Sequence, residues 1–156
     1  MFVFESVRPG KYWPWFNNLD TGYLKSIQAL EVAEGADMDL VLILSRSWAS
    51  LAGDVDASSA HVVLLSEEQS LPPQANYQFP ELDQLNHFFV SKLPPGKYLA
   101  FATEDADSEW WDNPAFVKAL RSEGQALELH ENQRAALHLK LIPKDETDQI
   151  AKRLGL

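Results

Sequence analysis

The chain has 156 residues, no cysteine, a net charge of −10 and an apolar fraction of 46%. This length supports one well-packed core or two small ones, and the absence of cysteine excludes disulfides, thiolate zinc sites and a cysteine nucleophile. The acidic balance argues against a nucleic-acid surface, which needs Lys and Arg to neutralise phosphates.

The first element along the chain is a segment that recurs. Residues 2–16 (FVFESVRPGKYWPWF) return without a gap as residues 88–102 (FFVSKLPPGKYLAFA), at an offset of 86. At an offset of 97, an Ala-Leu-Glu motif and three alternating leucines relate residues 29–44 to residues 126–141. Because self-similarity defines the structural unit, the sequence predicts one β-rich module that is used about one and a half times.

The second copy opens with two predicted strands, residues 48–55 and 61–65, around a small polar turn. A proline-rich stretch then continues to residue 83 and is predicted to be loop or sheet edge, since proline cannot donate to a strand ladder. Residues 88–90 and 97–103 follow as strands. The Leu-Pro-Pro-Gly between them suits a type II turn, so the pattern predicts a hairpin.

A helix is predicted over residues 114–121, because Pro114 suits the first helical turn and either Asp112 or Asn113 supplies an N-cap. Residues 126–129 and 136–142 are predicted to form a closing hairpin, in which three leucines alternate with polar residues. The tail is predicted to be helical, capped by either Asp145 or Thr147.

These elements predict an all-β fold, an antiparallel β-sandwich with a short inserted helix and a C-terminal helix. We divide the chain into a partial first module (1–45), a complete module (46–143) and a tail (144–156). The partial module lacks the first two strands, which leaves an open edge that must be covered. Three arrangements cover it: a longer native chain, two copies merged into one sandwich, or a neighbouring chain. We favour the longer chain, in which Met1 lies within a domain.

The pattern around the second Pro-Gly carries a family resemblance. Residues 86–102 resemble the G-x-F-x-f-x-x-L-P-P-G-x-Y-x-l-x-A core of carboxypeptidase regulatory-like domains, the transthyretin-like (prealbumin-like or Ig-like) β-sandwiches. Residues 111–116 (WDNPAF) are similar to an insertion found in multi-module bacterial envelope proteins of this group. The resemblance covers about residues 46–143. Asn86 departs from it, because the family usually has Gly there, and the turn between the opening strands is shortened.

The resemblance implies a non-catalytic structural or interaction module of a larger bacterial surface or periplasmic protein. Its partners would be other domains of the same protein or other envelope proteins. An extracellular or envelope location is expected from the resemblance alone, since the N-terminus lacks the features of a signal peptide. No apolar run approaches the roughly 20 residues of a membrane span, so we expect no membrane-spanning helix.

Two candidate ligand sites arise from the residues themselves. Five carboxylates within residues 104–112 offer oxygen ligands for Ca²⁺, so Asp105, Asp107, Glu109 and Asp112 are candidate calcium ligands. The alternative is a solvated acidic loop that discourages aggregation. Apart from this calcium site, no cofactor is expected.

The aromatic residues give the second candidate. Trp13 and Trp110 are predicted to stack on a sugar or peptide, which makes a carbohydrate-binding module the alternative function. The competing interpretation is that these indoles fill cores and helix–sheet seams, as Trp111 and Phe116 are expected to do by anchoring the inserted helix.

An enzyme is not expected. The four histidines stand in no metal-ligand or nucleophile-activating spacing, and the sequence has no Gly-x-Ser-x-Gly elbow or phosphate-binding glycine loop. A hydrolase would need a cleft in which a histidine meets a carboxylate and a nucleophile.

Overall fold

The computed structural model describes residues 4–14, 22–25, 29–57, 59–67, 76–104 and 108–156, without the side chains of residues 108 and 109. These residues form twelve strands and three helices. In chain order they are β1 (Gly10–Tyr12), β2 (Tyr23–Leu24), β3 (Leu30–Val32), β4 (Leu44–Ser45), β5 (Ala49–Val55), β6 (His61–Ser66), β7 (Tyr77–Gln78), β8 (His87–Leu93), β9 (Gly96–Thr103), α1 (Ser108–Trp111), α2 (Pro114–Leu120), β10 (Gln125–Leu129), β11 (Arg134–Leu139), β12 (Leu141–Ile142) and α3 (Lys144–Leu154).

Two sheets form a β-sandwich. The smaller sheet has the order β11-β5-β8, and the larger has the order β10-β9-β6-β7, with β12 also paired to β9. Apolar side chains that alternate along these strands meet between the sheets, because each strand turns every second residue inward. The interior contains, from the smaller sheet, Ala49, Leu51, Val55, Phe88, Leu93, Leu137 and Leu139, and from the larger sheet, Val62, Leu64, Tyr98, Ala100, Ala102 and Leu129.

The helices form a third layer on the outer face of the larger sheet. Phe101 and Leu99 of β9 point into this layer, where Trp111, Phe116, Leu120 and Ile150 of the helices are buried against them. Strand β9 is therefore covered on both faces, which accounts for its continuous apolar run, Tyr-Leu-Ala-Phe-Ala. The expected anchoring of the inserted helix is confirmed, since the rings of Phe101 and Trp111 lie 5.3 Å apart.

The helix boundaries follow local capping chemistry. Asn113 is the N-cap of α2, and its side-chain oxygen accepts hydrogen bonds from the backbone N–H groups of Ala115 (2.9 Å) and Phe116. The predicted caps of the tail helix were wrong, because the N-cap of α3 is Pro143, two residues before Asp145 and four before Thr147, and it offers no side-chain hydrogen bond. The N–H of Lys144 donates instead to the Glu104 carboxylate at 3.0 Å. An acidic group at a helix N-terminus also complements the helix dipole.

Both predicted hairpins of the second module were wrong. β8 and β9, which flank Leu93-Pro94-Pro95-Gly96, belong to different sheets, as do β10 and β11. The two prolines lack N–H groups for a hairpin ladder, and Gly96 has φ of +155°, so the chain changes sheets at this corner. Turn chemistry marks a change of direction, but it does not distinguish a hairpin from a crossing between sheets.

The sandwich is also not purely antiparallel. β11 runs parallel to β5 along six residue pairs, and β12 runs parallel to β9 at Ala102 and Thr103. The break at Lys140 moves the chain from the smaller sheet to the larger one. The Asp56 carboxylate supports this step by accepting a hydrogen bond from the Leu141 N–H at 3.1 Å.

The N-terminal segment forms two small sheets. β1 pairs with β3, and β2 pairs with β4, both in antiparallel orientation. Tyr23 of β2 is buried against the Trp48 ring, with centroids 4.7 Å apart, which connects this segment to the start of the sandwich. Of the three alternating leucines at residues 40–44, only Leu44 lies in a strand, Leu44–Ser45. Within the described parts of the chain, no helix combines the length and apolar character that a membrane span requires.

Candidate functional site

The outer face of the β11-β5-β8 sheet carries a row of ionisable side chains. Asp54 lies at the centre, directly opposite His138 of β11 and His87 of β8 in the strand register. The next row on this face, toward the start of β5, consists of Ala136, Ala52 and Phe89. These six residues line an open depression of about 590 Å³ on the outer face of the sheet.

His138 and Asp54 form a close contact, with Nδ1 2.5 Å from Oδ2. Because a carboxylate only accepts, the imidazole N–H is the donor, which fixes the histidine tautomer. Their side chains are about half exposed, 63% and 49%. Solvent screens such a pair, so it contributes at most about 1 kcal/mol to stability.

His87 contacts a different carboxylate. Its Nδ1 lies 3.5 Å from Asp83 Oδ2, and Asp83 Oδ1 accepts hydrogen bonds from the backbone N–H groups of His87 (2.9 Å) and Leu85 (2.8 Å). These backbone hydrogen bonds, first that of His87 and then that of Leu85, lower the pKa of Asp83 below its usual value. The carboxylate thereby closes the turn into β8. Asn86 completes this turn with φ of +60°, a left-handed conformation that Gly and Asn tolerate best.

The lining of the depression has few side chains that could take part in catalysis. Its lining contains two imidazoles, one carboxylate, and the exposed ring of Phe89, but no hydroxyl that a histidine–carboxylate pair would activate as a nucleophile. Among the described residues, no group of three or more His, Asp or Glu side chains is placed to hold a metal ion. The arrangement suits contact with a flat apolar or hydrogen-bonding surface.

The two candidate stacking residues lie in different environments. Trp13 follows β1 and is 40% exposed, with the Lys11 ammonium 5.3 Å from its ring centroid. Trp110 is partly buried in the helical layer, where its ring lies 5.5 Å from that of Phe116. No ring contact joins the two indoles within the described residues. Trp15, two residues after Trp13, lies outside them.

The acidic loop is described only at its ends. Asp105 and Asp107 lie outside the described residues, as does the side chain of Glu109, so the calcium site remains a prediction. Asp112 is exposed beside the α2 cap, and its charge contributes to the raised pKa of Tyr77, whose main cause is burial. Glu104 has the structural role described above, at the start of α3.

The Asp54–His138 contact was missed in the sequence. The alternation of β11 places His138 on the wet face, but its partner lies 84 residues earlier in the chain. Only the parallel pairing of β11 with β5 brings the two together. The available signal was an Asp and a His at outward positions of two predicted strands, which does not specify that the strands are neighbours.

No family model matches the sequence, and no curated protein matches it. Some solved structures are weakly similar. A DUF3823 family protein from Parabacteroides merdae is 14% identical with a TM-score of 0.37, covering 59% of this chain and 44% of that one. The Streptococcal ancillary pilin is 10% identical with a TM-score of 0.39, covering 88% and 46% respectively.

The Bacillus anthracis TIE protein is 20% identical with a TM-score of 0.34, covering 76% of this chain and 21% of that one. This chain thus spans less than half of each of these three proteins. At such TM-scores the likeness supports neither a family nor a function, and the β-sandwich rests on the strand pairing described above.

Proposed function

We propose that the chain is a non-catalytic structural and interaction module of a larger bacterial surface or periplasmic protein. In this proposal it is of the carboxypeptidase regulatory-like, transthyretin-like type. Residues 46–143 form the complete module, residues 1–45 form a partial copy of it, and residues 144–156 form a helical tail. Its partners are other domains of the same protein or other envelope proteins.

The observation that carries the proposal is a shared pairing register. In the first copy β1 pairs with β3, and in the second copy β9 pairs with β10, both antiparallel. At the sequence offsets of 86 and 97, every partner in one pair corresponds to the partner in the other. The pairs are Gly10↔Val32, Lys11↔Glu31 and Tyr12↔Leu30 in the first copy, and Gly96↔Leu129, Lys97↔Glu128 and Tyr98↔Leu127 in the second.

The corner before each of these strands is also alike. The Tyr12 hydroxyl donates to the Arg8 carbonyl at 2.8 Å, and the Tyr98 hydroxyl donates to the Pro94 carbonyl at 2.6 Å. The glycines that begin the strands have φ of +158° at Gly10 and +155° at Gly96. Two segments with the same corner, strand and partner support a module used in series, which is the architecture of a spacer.

The distribution of chemical groups favours packing over catalysis. The interior between the sheets is apolar, and within the described part of the chain the lining of the depression around the His138–Asp54 contact includes no hydroxyl. A rigid sandwich of this kind holds neighbouring domains apart and presents its loops and sheet faces to partners.

An antibody raised against this chain tests the location. We expect it to label intact cells of the source bacterium, or cells whose outer membrane alone is permeabilised, and added protease to remove the signal. A cytoplasmic protein of the same cells is the control and should be labelled only after lysis. Labelling of this chain only after lysis would contradict the proposal.

Carbohydrate binding is the second candidate, and the exposure of Trp13 favours it. Its indole is 40% exposed beside a lysine, whereas Trp110 is packed against Phe116. An exposed indole with a nearby polar donor offers both an apolar surface and a hydrogen bond to a sugar.

Tryptophan fluorescence tests this candidate against a panel of oligosaccharides. We expect a saturable change that is lost in Trp13→Ala and kept in Trp110→Phe. A spectrum that stays unchanged across the panel, or a change that survives Trp13→Ala, would reject Trp13 as the binding residue.

A further inference from the structure

The depression on the outer face of the smaller sheet is rich in hydrogen-bond acceptors. Its lining contains three polar side chains, the imidazoles of His138 and His87 and the carboxylate of Asp54. The other lining residues are alanine, glycine, leucine and phenylalanine, whose side chains neither donate nor accept. The direction of the two imidazole protons therefore decides whether this surface has a free side-chain donor.

Both imidazole protons are directed at carboxylates. Nδ1 of His138 lies 2.5 Å from Asp54 Oδ2, and Nδ1 of His87 lies 3.5 Å from Asp83 Oδ2. A neutral imidazole has one N–H and one lone pair, so Nε2 of each ring is left as an acceptor. A carboxylate accepts several hydrogen bonds, so Asp54 can accept more than the one from His138. Among the described residues, the lining of the depression thus offers side-chain acceptors only.

These acceptors and an aromatic ring beside them are open to a partner. The three polar side chains are between 49% and 63% exposed, and Phe89 is 65% exposed. Phe89 lies on β8, one row along the sheet from Asp54. The rest of its row consists of Ala52 and Ala136, whose small side chains leave room beside the ring.

A surface of acceptors beside an aromatic ring is complementary to a planar cation. The guanidinium group of arginine has several N–H donors in one plane, has no acceptor, and is attracted to the face of an aromatic ring. A lysine ammonium is a strongly hydrated point charge that cannot form a planar, bidentate pair. The net charge of −10 on the chain adds a long-range attraction for cations.

No cation of the chain itself takes this place. Arg134 lies on the same face, but it is four residues before His138, or about 13 Å along the strand at about 3.3 Å per residue. A metal ion is the other ligand that imidazole lone pairs attract. Two imidazoles supply only about half of the ligands that a tetrahedral zinc ion takes, and the described residues include no metal-binding group of three.

We propose that the depression binds an arginine side chain that a partner protein presents. The guanidinium pairs with Asp54, donates to Nε2 of His138 and lies against the ring of Phe89. This inference names the recognition chemistry of the partner in the proposed function, and it rests on that function being one of interaction.

An NMR titration of amide shifts at about pH 7.5, where free imidazole is mostly neutral, tests the proposal. The ligand is the acetylated and amidated tripeptide Ala-Arg-Ala. We expect saturable shifts of the amides of Ala52, Asp54, Phe89 and His138, with a dissociation constant in the millimolar range because the site is exposed. The citrulline analogue, which has no charge, should bind at least about 3-fold more weakly, and the lysine analogue at least about 2-fold more weakly.

Two substitutions locate the binding site. Asp54→Asn should raise the dissociation constant about 3- to 5-fold, as expected for the loss of one exposed ion pair. Phe89→Ala should raise it about 2- to 5-fold through the loss of the cation–π contact. Asp145→Asn is the matched control, because it removes the same charge from α3 on the opposite side of the sandwich, and it should leave the dissociation constant unchanged. Far-UV circular dichroism checks that each variant is folded.

Several results would contradict the proposal. They are the absence of a saturable shift with the arginine peptide, equal affinity for either analogue, and equal weakening by Asp54→Asn and Asp145→Asn, which would mean that net charge alone attracts the peptide. Zinc chloride that shifts the same amides at lower concentration than the peptide would assign the depression to a metal ion. Shifts of these amides on dilution of the protein alone would assign it to a second copy of the chain.

The outcome is separable from that of the proposed function. Arginine binding together with antibody labelling only after lysis keeps the site and rejects the envelope location. Labelling of intact cells without arginine binding keeps the location and rejects the site.

Discussion

The hydroxyl of Tyr98 donates a 2.6 Å hydrogen bond to the carbonyl of Pro94, across the corner where the chain passes from one sheet to the other. Pro94 and Pro95 have no N–H groups to hold this corner, so the tyrosine supplies the contact that the backbone cannot. The ring itself is buried between the sheets, and this burial raises the pKa of the hydroxyl. Tyr12 makes the matching contact with Arg8, but its ring is 38% exposed.

We predict that Tyr98→Phe destabilises the protein by about 1–2 kcal/mol, because it leaves the Pro94 carbonyl without its partner. The matched change Tyr12→Phe should cost less than about 0.5 kcal/mol at its exposed site. Urea unfolding at pH 7 measures both changes. Equal costs would show that the buried corner has no special role.

The raised pKa of Tyr98 also predicts a dependence on alkaline pH. A folded-state pKa above the unfolded one gives stability that is fully present below the unfolded value of about 10 and lost as pH rises past it. The melting temperature of the unmodified protein should therefore fall above about pH 10. The fall should be smaller in Tyr98→Phe, and an identical fall in the two proteins would contradict the prediction.

The lowered pKa of Asp83 predicts that the stability of the protein depends on pH in the acidic range. Backbone hydrogen bonds from His87 and Leu85 lower its pKa, so its contribution is present above the unfolded value of about 3.9 and is lost as pH falls through the folded value. Asp83→Asn keeps an acceptor without the charge. Below about pH 4, its melting temperature should fall less than that of the unmodified protein. Glu81→Gln, which removes an exposed carboxylate two residues earlier, is the control for the loss of one negative charge.

A side chain at position 53 is expected to overpack the smaller sheet. A Cβ at this position of β5 would overlap the Phe88 ring and lie 2.6 Å from the Leu137 carbonyl oxygen, which is backbone and cannot move aside. Gly53→Ala should destabilise the protein by about 2–3 kcal/mol through overpacking. Ala52→Ser, on the exposed face beside it, should cost less than about 0.5 kcal/mol. Chemical denaturation compares them, and a neutral Gly53→Ala would mean that the Phe88 ring and the neighbouring backbone of β11 shift readily here.

Removal of the Asn113 cap is expected to lower the stability of the protein. Its side chain bonds two N–H groups at the start of α2, so Asn113→Ala should destabilise the protein by about 1 kcal/mol. Asp112→Ala removes the other residue that the sequence offered as a cap and should be close to neutral. Thermal unfolding followed by far-UV circular dichroism measures the stability of both variants. A larger loss of stability in Asp112→Ala than in Asn113→Ala would show that Asp112 is the cap.

Local chemistry made part of the candidate surfaces predictable. The alternation of β11 correctly placed His138 on a wet face, and the pairing of Trp111 with Phe116 in the helix–sheet seam followed from their positions around Pro114. The contact between His138 and Asp54 was not predictable, because it joins strands that are far apart in the sequence. The burial of Trp110 was not predictable either. How far each of two adjacent indoles at a helix start is exposed depends on the sheet that packs beneath them.

The sequence by itself determined where the main strands and helices of residues 46–156 lie, because propensity and turn residues act over short distances. Only the tertiary structure decided which sheet each strand joins. Alternation with a period of two says that a strand has an inner and an outer face, but the same pattern fits a hairpin neighbour or a partner across the sandwich. The parallel pairing of β11 with β5 is such a choice, made by the burial of Leu137 and Leu139 against the opposite sheet.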